Sequence, residues 1–185
     1  MFGGRFGSRC SQGRHFFDED DELYKSLAAL VALRKKMLPL RRGRQALHRI
    51  SGDGVNFGLP HSEGGRIRSL VSWSRLFVDQ EVLVALNTDE ARPVAAYSTV
   101  APTFRVEGDQ LQLVFWYAPK QASAPPSSLT TERRHRHLVV RMTLPAAGFA
   151  IYQAAPGLNR LGPSPAPDLS PWRPSELHGW SDAGV

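Results

Sequence analysis

The chain has 185 residues, of which 42% are hydrophobic and 22% charged, and its net charge is +6. This length suits one ordinary domain with an appendage and excludes an eight-stranded α/β barrel, which needs about 250 residues. The apolar fraction excludes a disordered chain. Cys10 is the single cysteine, so an internal disulfide is excluded and a reducing, cytoplasmic location is predicted.

The first forty residues predict a loop and then a helix. Residues 1–17 are rich in glycine and phenylalanine and lack the apolar core of a secretory signal. A helix is predicted over 18–37, because acids come first, basic residues come last, and Pro39 is placed to close it. The apolar positions at helical spacing are Leu23, Leu27, Leu30, Val31 and Met37.

From Gly52 onward the pattern changes to short β-branched or aromatic runs between turn residues. The predicted strands are RSLVSWS, EVLVALN, VAAYSTV, QLQLVFWY, HLVVRMTL and GFAIYQ. Strands of this length and spacing predict an antiparallel β-sandwich. Val82–Leu86 is apolar on both faces, so we expect each side of this strand to be covered.

Alternation assigns faces within two of these strands. It places Leu111, Leu113, Phe115 and Tyr117 on one face of the first, and Leu138, Val140, Met142 and Leu144 on one face of the second.

Three polar stretches predict turns or disorder. VEGDQ at 106–110 predicts a hairpin turn with a glycine available for positive φ. Residues 120–136 predict a mobile insert, and the proline-rich stretch 155–185 predicts a disordered tail. No apolar run approaches the roughly 18 residues of a membrane span, so we expect no membrane partner.

Candidate chemical sites are few, and each has a simpler structural interpretation. The acids Asp18–Glu22 suit a helix start. The early glycines follow no strand, as a phosphate loop would require. Cys10 with His15 lacks an orienting group, and His135 with His137 lacks a third metal ligand. We therefore predict no catalytic residue, no metal site and no cofactor.

Basic and aromatic residues leave two binding interpretations open. The basic clusters 34–44 and 66–68 could contact nucleic acid, but the first ends a helix, where such residues are favoured anyway. Nucleic acid is therefore the less favoured partner. Trp73, Trp116 and Tyr117 could stack on sugar rings or belong to the core.

Five motifs in one order carry a family resemblance. HFFDE, LRRGRQ, SGDGVNFGLP, WSRLFVDQEVLVALNTD and LPAAGFAIY, within residues 1–153, resemble the C-terminal end of α-amylase-family glycoside hydrolases. The resemblance implies that residues 1–45 end a catalytic (β/α)₈ barrel, as a loop and its last helix, in a truncated form. It implies an α-amylase C-terminal β-sandwich over 46–154, followed by the disordered tail 155–185.

The resemblance also implies what the chain does. The family uses an aspartate nucleophile, a glutamate acid/base and a second aspartate on barrel strands, and no acid here matches those motifs. We expect the parent enzyme to act on α-glucosidic bonds of an α-glucan or oligosaccharide, and this fragment to be inactive alone. Phe2 and Arg5 are candidate substrate-binding residues at the rim of the sugar cleft.

Two consequences are expected for partners. The alternative to an enzyme fragment is a non-catalytic carbohydrate-binding or interaction module that docks on a separate barrel. Without a barrel, the apolar stripe of helix 18–37 predicts exposed apolar surface and self-association, because helices owe most of their stability to packing.

Overall fold

The computed structural model describes residues 20, 22–60, 62–63, 66–67, 70–119 and 122–154. Within them lie two helices, α1 (Glu22–Lys36) and α2 (Leu38–Arg42). The predicted helix is confirmed in type but ends one residue earlier, at Lys36, and Pro39 lies in the first turn of α2 rather than closing α1. The predicted loop over 1–17 and the predicted tail over 155–185 lie outside the described residues.

Eleven strands follow the helices. They are β1 (Arg44–Leu47), β2 (Ile50–Ser51), β3 (Ser62–Glu63), β4 (Arg66–Ile67), β5 (Leu70–Phe77), β6 (Gln80–Asn87), β7 (Val94–Thr99), β8 (Gln110–Tyr117), β9 (Ser128–Arg134), β10 (His137–Leu144) and β11 (Phe149–Ala154). Nine form one antiparallel sheet in the order β1-β5-β6-β11-β8-β9-β10-β7-β2, and β3 pairs with β4.

The nine-stranded sheet curls into two layers, which confirms the predicted mainly β, sandwich-like fold. β1, β5, β6, β11 and β8 form one layer, β10, β7 and β2 form the other, and β9 pairs with strands of both. A single apolar core fills the space between the layers. Its fully buried side chains include Leu70, Leu83, Leu111, Val140, Leu144 and Tyr152.

Strand β6 is covered on both faces, as its sequence predicts. Leu83 and Ala85 point into the core between the layers. Val82 and Val84 point outward into a second apolar cluster that contains Met37. The second cover is therefore supplied, at least in part, by the α1–α2 region of this same chain.

A β-bulge in β8 makes one face assignment wrong. Leu113 pairs with Tyr152, whereas Phe115 pairs with Ile151, so Val114 is an extra residue between them. Directly paired residues share a face, so Leu113 faces the core and Phe115 faces outward. Alternation alone had placed Leu111, Leu113, Phe115 and Tyr117 on one face.

The interpretation of residues 120–136 as a mobile insert is wrong over much of its length. Ser128–Arg134 is strand β9, with Leu129 and Thr131 buried. The sequence pattern did not identify this strand, because its outward residues and its C-terminal end are exposed and therefore polar. Gly108, in VEGDQ, does adopt a positive φ of 88°, but the strands it connects, β7 and β8, are not paired, so this turn is not a hairpin.

Candidate functional site

The outer face of the sheet carries an apolar cluster against which one side of α1 packs. Leu30 and Leu33 of α1, with Met37 after it, pack against Val82 and Val84 of β6. These α1 residues recur at helical spacing and form one side of the helix. They fix α1 to the layer formed by β5, β6, β11 and β8.

The neighbouring side of α1 is apolar and exposed. Leu23, Leu27 and Val31 are 60%, 56% and 46% exposed, respectively. They lie four residues apart, so they form one line along the helix, which we call the α1 stripe. Covering a leucine or valine side chain fully contributes about 1.5–3 kcal/mol, so three side chains with this exposure contribute only part of that stabilisation. The predicted exposed apolar surface of this helix is confirmed at these positions.

A buried polar network lies on the inner side of the same layer. Glu81 is 1% exposed and accepts hydrogen bonds from Ser74 Oγ (2.6 Å), the Ala101 backbone N–H (3.1 Å) and Arg105 Nε (3.0 Å). His48 Nε2 lies 2.6 Å from Ser74 Oγ. The network joins β5, β6 and the connection after β7, so it holds the layers together at one end.

The hydrogen-bond partners fix the His48 tautomer. The Ser74 hydroxyl donates its one hydrogen to the bond with Glu81. His48 Nε2 must therefore donate to Ser74 Oγ. Nδ1 is then an acceptor and lies 3.4 Å from Thr99 Oγ1. Burial lowers the pKa of His48 to about 4, so the imidazole is neutral near pH 7.

Serine, histidine and glutamate are the residue types of a hydrolytic triad, but this arrangement does not make one. In a triad the imidazole takes the serine proton and the carboxylate orients the imidazole. Here Ser74 lies between the other two, and its hydroxyl donates a hydrogen bond to Glu81. Ser74 is also fully buried, so its oxygen has no access to a substrate. The network is structural.

Several residues singled out from the sequence fall outside the described part of the chain. These are Phe2, Arg5, Cys10, His15 and Asp18. The side chains of the basic cluster 66–68 also lie outside it.

The aromatic candidates for sugar stacking separate in the structure. Trp73 is half-buried and packs against the outer cluster of Val82 and Val84, as a core residue would. Tyr117 is half-buried and lies opposite Phe149. Trp116 faces the other way and is 37% exposed.

His135 and His137 lie at the turn between β9 and β10. The His137 ring packs on Phe57, with 4.8 Å between ring centroids and 51° between ring planes. The described residues contain no group of three or more histidine, cysteine or acidic side chains placed to hold a metal ion. Neither α1 nor α2, the helices of the described part, is long and apolar enough to cross a membrane.

The sequence alone did not identify the network around Glu81. One signal was present, since EVLVALN alternates so that Glu81 shares the inward face with Leu83 and Ala85. A charge on the core-facing side of a strand requires a buried partner. The positions of His48 and Arg105 carry no such signal, because both lie in connections between strands.

Comparison with known proteins gives matches at the level of structure. No family model matches the sequence, and no curated protein matches it. An Anoxybacillus α-amylase matches with a TM-score of 0.49 and 17% identity over 79% of this chain and 25% of its own. The Nostoc punctiforme debranching enzyme matches with a TM-score of 0.47 and 17% identity over 76% and 24%.

An isomaltulose synthase from Klebsiella sp. LX3 matches with a TM-score of 0.43 and 18% identity over 75% of this chain and 18% of its own. The chain spans about a quarter or less of the length of these enzymes.

Proposed function

We propose that this chain supplies a non-catalytic β-domain to an α-amylase-type glycoside hydrolase that acts on α-glucosidic bonds in carbohydrate metabolism. In this proposal residues 1–45 belong to the end of the (β/α)₈ barrel, 46–154 form the β-domain and 155–185 form a tail. The chain works in the cytoplasm, as its single cysteine favours. Phe2 and Arg5 lie at the rim of the sugar cleft of the complete enzyme.

The observation that carries the proposal is the α1 stripe. Leu23, Leu27 and Val31 continue the apolar side by which α1 already packs on the sheet. An exposed apolar side of a helix is a surface on which another domain can pack. Burying it is favourable, because removing apolar area from water contributes about 25 cal/mol per Å². In this proposal the other domain is the (β/α)₈ barrel of the enzyme.

The chemistry of the described residues agrees with a non-catalytic role. Retaining glycosidases need two carboxyl groups about 5–5.5 Å apart, one acting as acid and one as nucleophile, with access to the sugar. Glu81 is buried and fully engaged by three donors. Asp53 accepts four hydrogen bonds from its own loop, from Ser51, Val55 and Asn56.

The test is an assay of the purified full chain with maltoheptaose and with pullulan. We expect no release of reducing sugar above that from a heat-denatured sample, because acid and nucleophile are both missing. Release that saturates with substrate and disappears on heating would overturn the proposal.

A further inference from the structure

Two concave surfaces meet at the turn between β9 and β10. The first, of about 580 Å³, is lined by residues 55–58 and 135–137. The second, of about 400 Å³, includes Arg49, Thr99, Arg136 and His137 in its lining. Because Arg136 and His137 line both, the two surfaces adjoin each other, and we call them together the cationic groove. No acidic side chain is among the described residues that line it.

One wall of the cationic groove is held in place before any ligand arrives. Backbone hydrogen bonds between Ile50 and Gly58, of 2.7 and 3.0 Å, close the loop that carries Phe57. Asp53 ties the inside of this loop, because its carboxylate accepts from the backbone of Val55 (2.8 Å) and Asn56 (2.9 Å). Phe57, whose ring packs on that of His137, is therefore held in place beside it.

The charges around the cationic groove are unbalanced. Nearby acids are already paired, since Glu132 bonds Arg134 at 3.0 Å and Glu107 lies 3.9 Å from Arg133. Arg49 and Arg136 are exposed and make no ion pair with any described residue.

The pKa of His137 is lowered, most of all by burial and then, in decreasing order, by the charges of Arg136, Arg49 and His135. Positive charge from two parts of the chain, the β9–β10 turn and the connection before β2, therefore acts on the His137 ring.

We infer that the cationic groove binds a phosphate-bearing small molecule, with the phosphate between Arg49 and Arg136 and its organic part against Phe57 and His137. A guanidinium group pairs with phosphate through two parallel hydrogen bonds, so two arginines give both charge and orientation. Ring faces suit the C–H surface of a sugar. A depression of several hundred Å³ is the size of a small-molecule site, whereas nucleic acid is held along an extended basic stripe.

The experiment is calorimetric titration of the full chain with three probes: glucose 1-phosphate, inorganic phosphate and glucose. We expect saturable binding of glucose 1-phosphate, weaker binding of inorganic phosphate and none of glucose. Arg136→Gln and Arg49→Gln should each weaken glucose 1-phosphate binding at least about tenfold, because each removes a charged hydrogen-bond donor to the phosphate. Absence of saturable binding with both phosphates would overturn the inference.

Arg92→Gln is the matched control, since it removes the same charge from an exposed arginine in the connection between β6 and β7. This variant should leave glucose 1-phosphate binding unchanged. An equal loss of affinity in it would show that the ligand is attracted by the net charge of the protein rather than bound at a site. Equal affinity for glucose 1-phosphate and inorganic phosphate would overturn the claim that the organic part of the ligand contacts Phe57 and His137. Tighter binding of a single-stranded oligonucleotide that displaces glucose 1-phosphate would overturn the small-molecule assignment.

A second readout locates the ligand. A phosphate between Arg49 and Arg136 opposes their charge, so it should raise the pKa of His137, which also faces His135 and Phe57. Titration of the histidine ring protons by NMR, with and without glucose 1-phosphate, should show this rise at His137. No change at His137 would place the ligand elsewhere.

Discussion

His48 shows how one side chain ties the curled sheet together and makes its stability depend on pH. The backbone N–H of His48 donates to Ser72 of β5 at 2.9 Å, and its ring continues to Ser74 and Glu81. Ser72 and Ser98, in different layers, are 2.6 Å apart at their hydroxyl oxygens. Buried polar groups of this kind cost free energy unless all are paired, and every buried side-chain polar atom in the described residues has a partner.

The free energy of unfolding should fall as the pH is lowered from 6.5 to 4. The pKa of His48 is about 4 in the folded state and 6.5 as the ordinary value, so within this window the unfolded chain binds a proton that the folded chain does not. A difference of this size corresponds to about 3 kcal/mol in total. Urea unfolding at several pH values measures it.

The matched pair of variants for this prediction is His48→Gln and His135→Gln. The first removes the buried imidazole, so much of the pH slope between 6.5 and 4 should disappear. The second removes an exposed imidazole from the β9–β10 turn and should keep the slope. An unchanged slope in His48→Gln would show that other groups cause the acid sensitivity.

Helix α1 shows what can be read from a sequence at the scale of an element. Its charges and apolar spacing predict it correctly as a helix, because both follow from local rules. Which apolar residues the sheet covers could not be predicted, since Leu30 and Leu27 look alike in the pattern and differ only in tertiary contact. The bulge at Val114 and the polar strand β9 were missed for the same reason, because partner strands determine both.

Replacing Leu27 by glutamate should reduce binding of an apolar dye and self-association without lowering stability. Leu27 is 56% exposed, so the new charge stays in water and removes apolar area from the α1 stripe. The measurements are dye fluorescence, sedimentation velocity and urea unfolding on the same samples.

Leu30→Glu is the control in the same helix. Leu30 packs against the outer cluster, so a charge there should destabilise the protein by about 2 kcal/mol or more and increase dye binding. If both variants destabilise equally, Leu27 is covered in solution and the α1 stripe is not a free surface.

At the scale of the whole molecule, one layer of the sheet separates two apolar clusters. The larger fills the space between the layers, and the smaller joins α1 and α2 to the outer face of β6. The first lies between the two layers of the sheet, whereas the second depends on two helices, beside which the α1 stripe is exposed. Alternation along β10 correctly placed Leu138, Val140, Met142 and Leu144 on one face, which is the face that lines the larger cluster. It could not predict how far the outer face is covered.

The helices should therefore open without unfolding the sheet. Met37 is 8% exposed and lies in the smaller cluster, where it follows α1 and packs near Val82 and Val84. Met37→Ala removes most of this side chain, so the amides of α1 should exchange with solvent at least about tenfold faster while those of β6 and β11 stay protected.

Leu83→Ala is the counterpart in the larger cluster, where Leu83 is fully buried. It should lower the free energy of unfolding by about 2–5 kcal/mol and speed exchange throughout the sheet, because a cavity there weakens both layers. Hydrogen exchange read by mass spectrometry separates the two cases. If Met37→Ala instead speeds exchange equally in α1, β6 and β11, then the helices and the sheet unfold as one unit.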